Sequence, residues 1–307
     1  MRKLAILLLL TLFSCKNEDS ESDITPQNIS ILVTPNQTDP NYSTTEESHY
    51  VVRNNKWHVN KLFLFIGGSY SVPKNYNLVC EHAASIGLDV ISLSYPNDVA
   101  TASLGTSSDA LIFDYYRDEI CFGNPVSSVV SVDVLNSIET RAIKLLIYLK
   151  NTYPEQNWGQ YLTNSNALQW SSIILSGHSQ GSGHACYLGK KRSVDRVIMF
   201  SGPNDYSTYY STPANWLRQS GLTSLTRYFS LLHTADEIVP YNYQVANLRG
   251  LGLLAPNQSP ILADNLTTPY QNANSLSLSI VALSNHNSTI GASKILPDIW
   301  TYMMTGN

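Results

Sequence analysis

The chain has 307 residues, enough for one large α/β domain or two small ones. Charged residues make up only 14% of it and the formal net charge is −4. It has no basic run and no basic–aromatic stretch, which argues against nucleic acid as a partner.

The chain opens with Met1-Arg2-Lys3, an apolar run from Leu4 to Phe13, and then Ser14-Cys15. The run is too short to span a bilayer, so residues 1–14 are expected to be an export signal. Leu12-Phe13-Ser14-Cys15 resembles a bacterial lipobox. The resemblance implies cleavage before Cys15, lipid on its thiol, and a mature protein anchored to a membrane, periplasmic or at the cell surface. Residues 15–45 are polar, with Pro26, Pro35 and Pro40 and four acids between Glu18 and Asp23. That is the composition of a tether. Ile29 to Val33 is its one candidate strand, at an edge. The folded domain is expected over residues 46–307.

Tyr50-Val51-Val52 and Trp57-His58-Val59 flank a polar Arg53-Asn54-Asn55-Lys56, which predicts an antiparallel hairpin. Lys61-Leu-Phe-Leu-Phe-Ile66 is an almost continuous apolar run that ends in Gly67-Gly68, the pattern of a strand covered on both faces. A helix is predicted over 74–86, a strand over 88–94 and a second helix over about 134–149. Residues 97–134 read as irregular. Further strands are expected at 173–175, 196–200, 227–233 and 276–283, with helices after Ser179, at 241–250 and from Ile290 to Met304. Pro297 interrupts or delays the last of these. Strands alternating with helices predict an α/β fold: a mostly parallel sheet covered on both faces.

The most informative stretch is Ser171-Ser-Ile-Ile-Leu-Ser-Gly-His-Ser-Gln-Gly-Ser-Gly-His-Ala185. Gly177-His178-Ser179-Gln180-Gly181 is a G-x-S-x-G pentapeptide set between a predicted strand and a predicted helix. That is the setting of a nucleophile elbow, in which flanking glycines make room for a strained serine at a helix N-terminus. A serine hydroxyl needs a base to take its proton, and the base needs a third group to orient it. Asp236 and His286 each follow a predicted strand, and groups beyond strand carboxyl ends converge at one edge of a parallel sheet. Asp205, after the preceding strand, is the second choice for the acid. Glu237 is expected to point elsewhere. His178, His184 and His233 are assigned structural places.

Here the chain resembles the α/β-hydrolase superfamily, from about residue 48 to the end. The carriers are Phe65-Ile-Gly67-Gly68, Gly177-His-Ser179-Gln-Gly181, Asp236-Glu-Ile-Val-Pro240 and His286. The resemblance implies a catalytic Ser179–His286–Asp236 triad, an oxyanion hole from the backbone N–H groups of Gln180 and Gly68, and no metal or other cofactor. Family members often have His-Gly where this chain has Ile66-Gly67, which leaves Gly68 and Ser69 as alternatives for the second N–H. The stretch Gly177 to Ala185, with Phe200-Ser-Gly-Pro-Asn-Asp205, also looks like an uncharacterised bacterial branch of the superfamily.

Residues 201–226 stand where the family inserts its lid, and here the segment is short. Its Tyr206, Tyr209 and Trp216 are candidate substrate-binding rings for a small-molecule or glycan ester. The expected activity is carboxylic ester hydrolysis. A peptidase and a catalytically inactive surface binding protein are the alternatives. Cys80, Cys121 and Cys186 show no metal-ligand spacing, and a Cys80–Cys121 disulfide is compatible with export.

Overall fold

The computed structural model describes residues 25–306. The expected signal segment and Cys15 lie outside them. The core is a nine-stranded sheet built from β1 (Asn28–Val33), β2 (His49–Asn54), β3 (Leu62–Ile66), β4 (Asp89–Leu93), β5 (Ile173–His178), β6 (Arg196–Phe200), β9 (Tyr228–His233), β10 (Ile261–Leu262) and β11 (Ser275–Leu278). β7 (Tyr206–Ser207) and β8 (Thr212–Pro213) form a separate two-residue ladder. The sheet order is β1-β2-β4-β3-β5-β6-β9-β11-β10. From β4 to β10 every pairing is parallel, while β2 runs antiparallel to both β1 and β4. This is an α/β fold.

Side-chain alternation sends the two faces of each strand into different cores. Leu62, Leu64 and Ile66 of β3 join one apolar cluster with α3 (Ile112–Phe122), α4 (Ile138–Thr152), α5 (Gln180–Lys191) and α6 (Tyr241–Leu251). Phe63 and Phe65 point the other way, into a cluster with α2 (Asn77–Ser85) and α7 (Leu296–Thr305). The short α1 (Pro35–Thr38) follows β1. Among the described residues no helix is long and apolar enough to cross a membrane.

Several elements differ from the sequence expectations. Asn28–Val33, placed in the tether by composition, pairs along its whole length with β2. Tyr42, also in the expected tether, is tied down to Leu135 O. The hairpin does not form: residues 57–59 carry no strand, and β2 finds its partners in β1 and β4 instead. The region 97–134 contains α3, ended by Gly123 in a left-handed conformation at φ 76°. The last strand stops at Leu278, because the Asp264 carboxylate takes the Ser279 N–H that a longer ladder would need. Pro297 sits in the first turn of α7, where its missing N–H costs nothing, and delays the helix. Cys80 and Cys121 are buried free thiols in opposite cores, so no disulfide joins them.

Candidate active site

β5 runs straight into α5 through Ser179, which has φ 55° and ψ −121°. A serine held there is strained by about 1–3 kcal/mol and persists only where its surroundings fix it. The flanking glycines explain how. A Cβ on Gly177 would lie 2.2 Å from Gly181 O, and one on Gly181 would lie 2.0 Å from Ile66 O. A side chain at Gly177 would pry the turn itself open, and one at Gly181 would push the turn off β3. The turn presents Ser179 Oγ at the N-terminus of α5, where Asn204 Nδ2 donates to it at 3.2 Å.

The loops after β9 and β11 bring Asp236 and His286 together. His286 Nδ1 lies 2.8 Å from Asp236 Oδ2 and 3.0 Å from Oδ1. A carboxylate only accepts, so Nδ1 carries a proton, and in the neutral ring Nε2 is then the atom with the lone pair. Asp236 Oδ1 also accepts the N–H groups of Ile238 and Val239, and Oδ2 accepts from Gln244 Nε2. Burial pushes the Asp236 carboxyl up, but its bond to His286, the imidazole's charge and the two amides outweigh burial and hold it below its ordinary value.

Two residues read as bystanders in the sequence hold the His286 loop. Glu237 points toward it: its carboxylate accepts the His286 N–H and the Ser284 hydroxyl. His178, just before Ser179, donates through Nε2 to the His286 carbonyl at 3.1 Å, and Ser201 Oγ donates to the same carbonyl at 2.7 Å. Burial and the neighbouring His286 push His178 down to about 3, so it stays neutral. Ser179 and His286 line one cavity of about 290 Å³ with Gly68, Ser69, Tyr70, Ala100, Ile238 and Val239. No hydrogen bond joins the two side chains in this conformation.

Gly68 does not have a free N–H. It donates to Tyr76 Oη at 2.6 Å; that hydroxyl donates to Ser71 Oγ, which donates back to Gly68 O. Of the two alternatives for an oxyanion donor, Ser69 is the one whose backbone N–H makes no hydrogen bond among the described residues. Its side chain donates to Gln180 Oε1, which also accepts from the Thr101 N–H and hydroxyl. The Gln180 side chain therefore ties the loops after β3 and β4 to the elbow.

Tyr206, Tyr209 and Trp216 do not line this cavity. Trp216 is buried and donates to Asp205, Tyr206 stacks on Tyr243 at 4.2 Å, and Tyr209 is exposed against Tyr210. Residues 206–216 pack down beside α6, and their loop reaches Ser179 through Asn204 instead. Asp205 is fully buried in a pair with Arg117 and makes no contact with His286. The signal for Arg117 was available but weak: Ile112, Phe113, Tyr116, Ile120 and Cys121 fall at helical spacing ahead of a glycine.

No protein-family model and no curated protein matches the chain. Among solved structures, TT1662 from Thermus thermophilus is similar: 12% identity, TM-score 0.45, covering 92% of this chain and 98% of its own. A likeness at that level says nothing about chemistry. The fold is read from the sheet itself.

Proposed function

We propose that this protein is a serine hydrolase that cleaves carboxylic esters. One observation carries the reading: a strained serine at a helix N-terminus shares a cavity with a histidine whose Nδ1 is held by a buried carboxylate. Ser179 Oγ attacks the ester carbonyl and His286 Nε2 takes its proton. Asp236 holds the imidazole in the tautomer that can accept it and stabilises the imidazolium that forms. The Gln180 and Ser69 amides receive the oxyanion. His286 then returns the proton to the departing alcohol, and water attacks the acyl-enzyme by the same route. The cavity wall is largely apolar, which suits an acyl or aryl group.

A fluorophosphonate probe should label the folded protein, and Ser179→Ala should abolish the labelling. An unlabelled wild-type protein would end this reading and favour a binding protein that keeps the fold. p-Nitrophenyl esters, acetylated glycans and aminoacyl-anilides, compared by kcat/KM, place the substrate. Faster turnover of the anilides would make it a peptidase. Export and anchoring through Cys15 belong to the same proposal and rest on residues 1–15 alone. Cys15→Ala should leave the membrane fraction; unchanged retention with normal processing would count against the anchor.

A further inference from the structure

Arg117 lies in α3 and is fully buried. Its guanidinium grips Asp205 with two bonds, Nε to Oδ2 at 2.9 Å and Nη2 to Oδ1 at 2.5 Å. The remaining arm, Nη1, donates to the backbone carbonyl of Gln180 at 2.8 Å. Trp216 Nε1 adds a bond to Asp205 Oδ2 at 2.8 Å. The helix after the elbow is shaped to admit this group: a Cβ on Gly183 would lie 2.1 Å from Arg117 Nη2.

The contacts fall on both sides of Ser179. Gln180 is the next residue in the chain and presents the N–H assigned to the oxyanion. Asp205 is next to Asn204, whose amide donates to Ser179 Oγ. Asn247 Nδ2 braces the same loop through Pro203 O at 2.8 Å. A buried ion pair contributes little net stability, since an apolar pair of similar volume serves as well or better. The fork does fix geometry, because two bonds to one carboxylate and a third to a separate carbonyl leave the guanidinium one orientation.

We propose that Arg117 and Asp205 are positioning residues for the hydrolytic reaction: they clamp the Gln180 backbone and the Asn204 loop around the nucleophile. The proposal rests on the serine-hydrolase reading. Its signature is a loss in kcat with KM little changed, because the clamp touches no substrate. Arg117→Met combined with Asp205→Leu removes both charges at once and refills the space. This double variant should keep a wild-type thermal midpoint within a few degrees and lose about 100-fold in kcat, with KM within about threefold. Arg117→Lys keeps the charge without the fork and should lose about 10-fold. A folded double variant with wild-type kcat overturns the proposal. If the double variant does not fold, wild-type kcat in Arg117→Lys overturns it. Failure of the hydrolase reading looks different: the wild-type protein itself would not react with the fluorophosphonate.

Discussion

Two aspartates follow neighbouring strands of the sheet and have opposite fates. Asp205 follows β6 and Asp236 follows β9, and chain position alone makes either one eligible to orient the histidine. Around Asp205 the structure places an arginine fork and an indole N–H, so both its oxygens are used inside the protein. Around Asp236 it places two backbone amides, one glutamine and the His286 ring. A carboxylate paired with a guanidinium in this way has its charge neutralised inside the protein and offers no net charge to an imidazole. A carboxylate held by neutral donors keeps its charge for one. The partner decides the role, and the strand end only makes the residue eligible.

The largest test of this contrast is a pair of isosteric substitutions. Asp236→Asn should lower kcat by roughly 10⁴-fold while the thermal midpoint moves little, since the amide can present the wrong group to His286 Nδ1. Asp205→Asn should show the reverse balance. It leaves Arg117 buried without its counter-charge, which costs about 3–5 kcal/mol of stability, with a smaller loss in kcat. Urea denaturation and steady-state kinetics on the two variants read this out. Equal kinetic damage from both, with the fold retained, would erase the distinction.

The sequence made one side of this contrast far easier to read than the other. Ser179, Asp236 and His286 were legible because each sits in a local setting that follows from neighbouring residues: a glycine-flanked turn, or the end of an apolar strand. Arg117 was only faintly legible, through the helical spacing around it, because its meaning comes from a partner 88 residues away. The same limit explains Tyr76, whose hydroxyl occupies the Gly68 amide across a short loop. The apolar run from Ile280 to Leu283 misled in the other direction. Its composition reads as strand, yet Val281 and Leu283 are 83% and 111% exposed. Composition cannot report that Asp264 has already closed the ladder at Ser279.

Acid separates the two regions less sharply but reaches both. Burial, with help from His286, pushes His178 on the Asp236 side down to about 3. Burial and the Arg117 charge push His184, on the Asp205 side, well below its ordinary value. Burial and Arg141 push His49 in β2 down to about 3. In the unfolded chain each would titrate near 6.5. Between about 6.5 and 3 the unfolded state therefore binds protons that the folded state refuses, and stability falls as pH falls. Each group contributes up to about 1.4 kcal/mol per pH unit across that window. The thermal midpoint should drop steadily from pH 7 to 5, and His184→Gln and His178→Gln should each flatten the slope by a similar amount. A midpoint that stays constant from pH 7 to 5 would mean these rings are open to water.

The smallest expected effect concerns the amide of Gly68, in the cavity wall beside Ser179. Tyr76→Phe removes the hydroxyl that accepts this N–H and leaves the N–H buried without a partner. That should cost about 1–3 kcal/mol of stability. Its effect on turnover identifies the oxyanion donor. With Ser69 N–H in that role, the machinery facing the substrate is unchanged, and kcat should stay within about threefold of wild type. With Gly68 N–H in that role, Tyr76 Oη competes with the oxyanion for the same proton. Removing it should then raise kcat toward the 10²-fold scale that one such donor supplies. The structure favours the first outcome: Gly68 donates to Tyr76 at 2.6 Å within a closed ring of three hydrogen bonds. An oxyanion would have to break that ring, whereas the Ser69 amide at the cavity wall has nothing to give up.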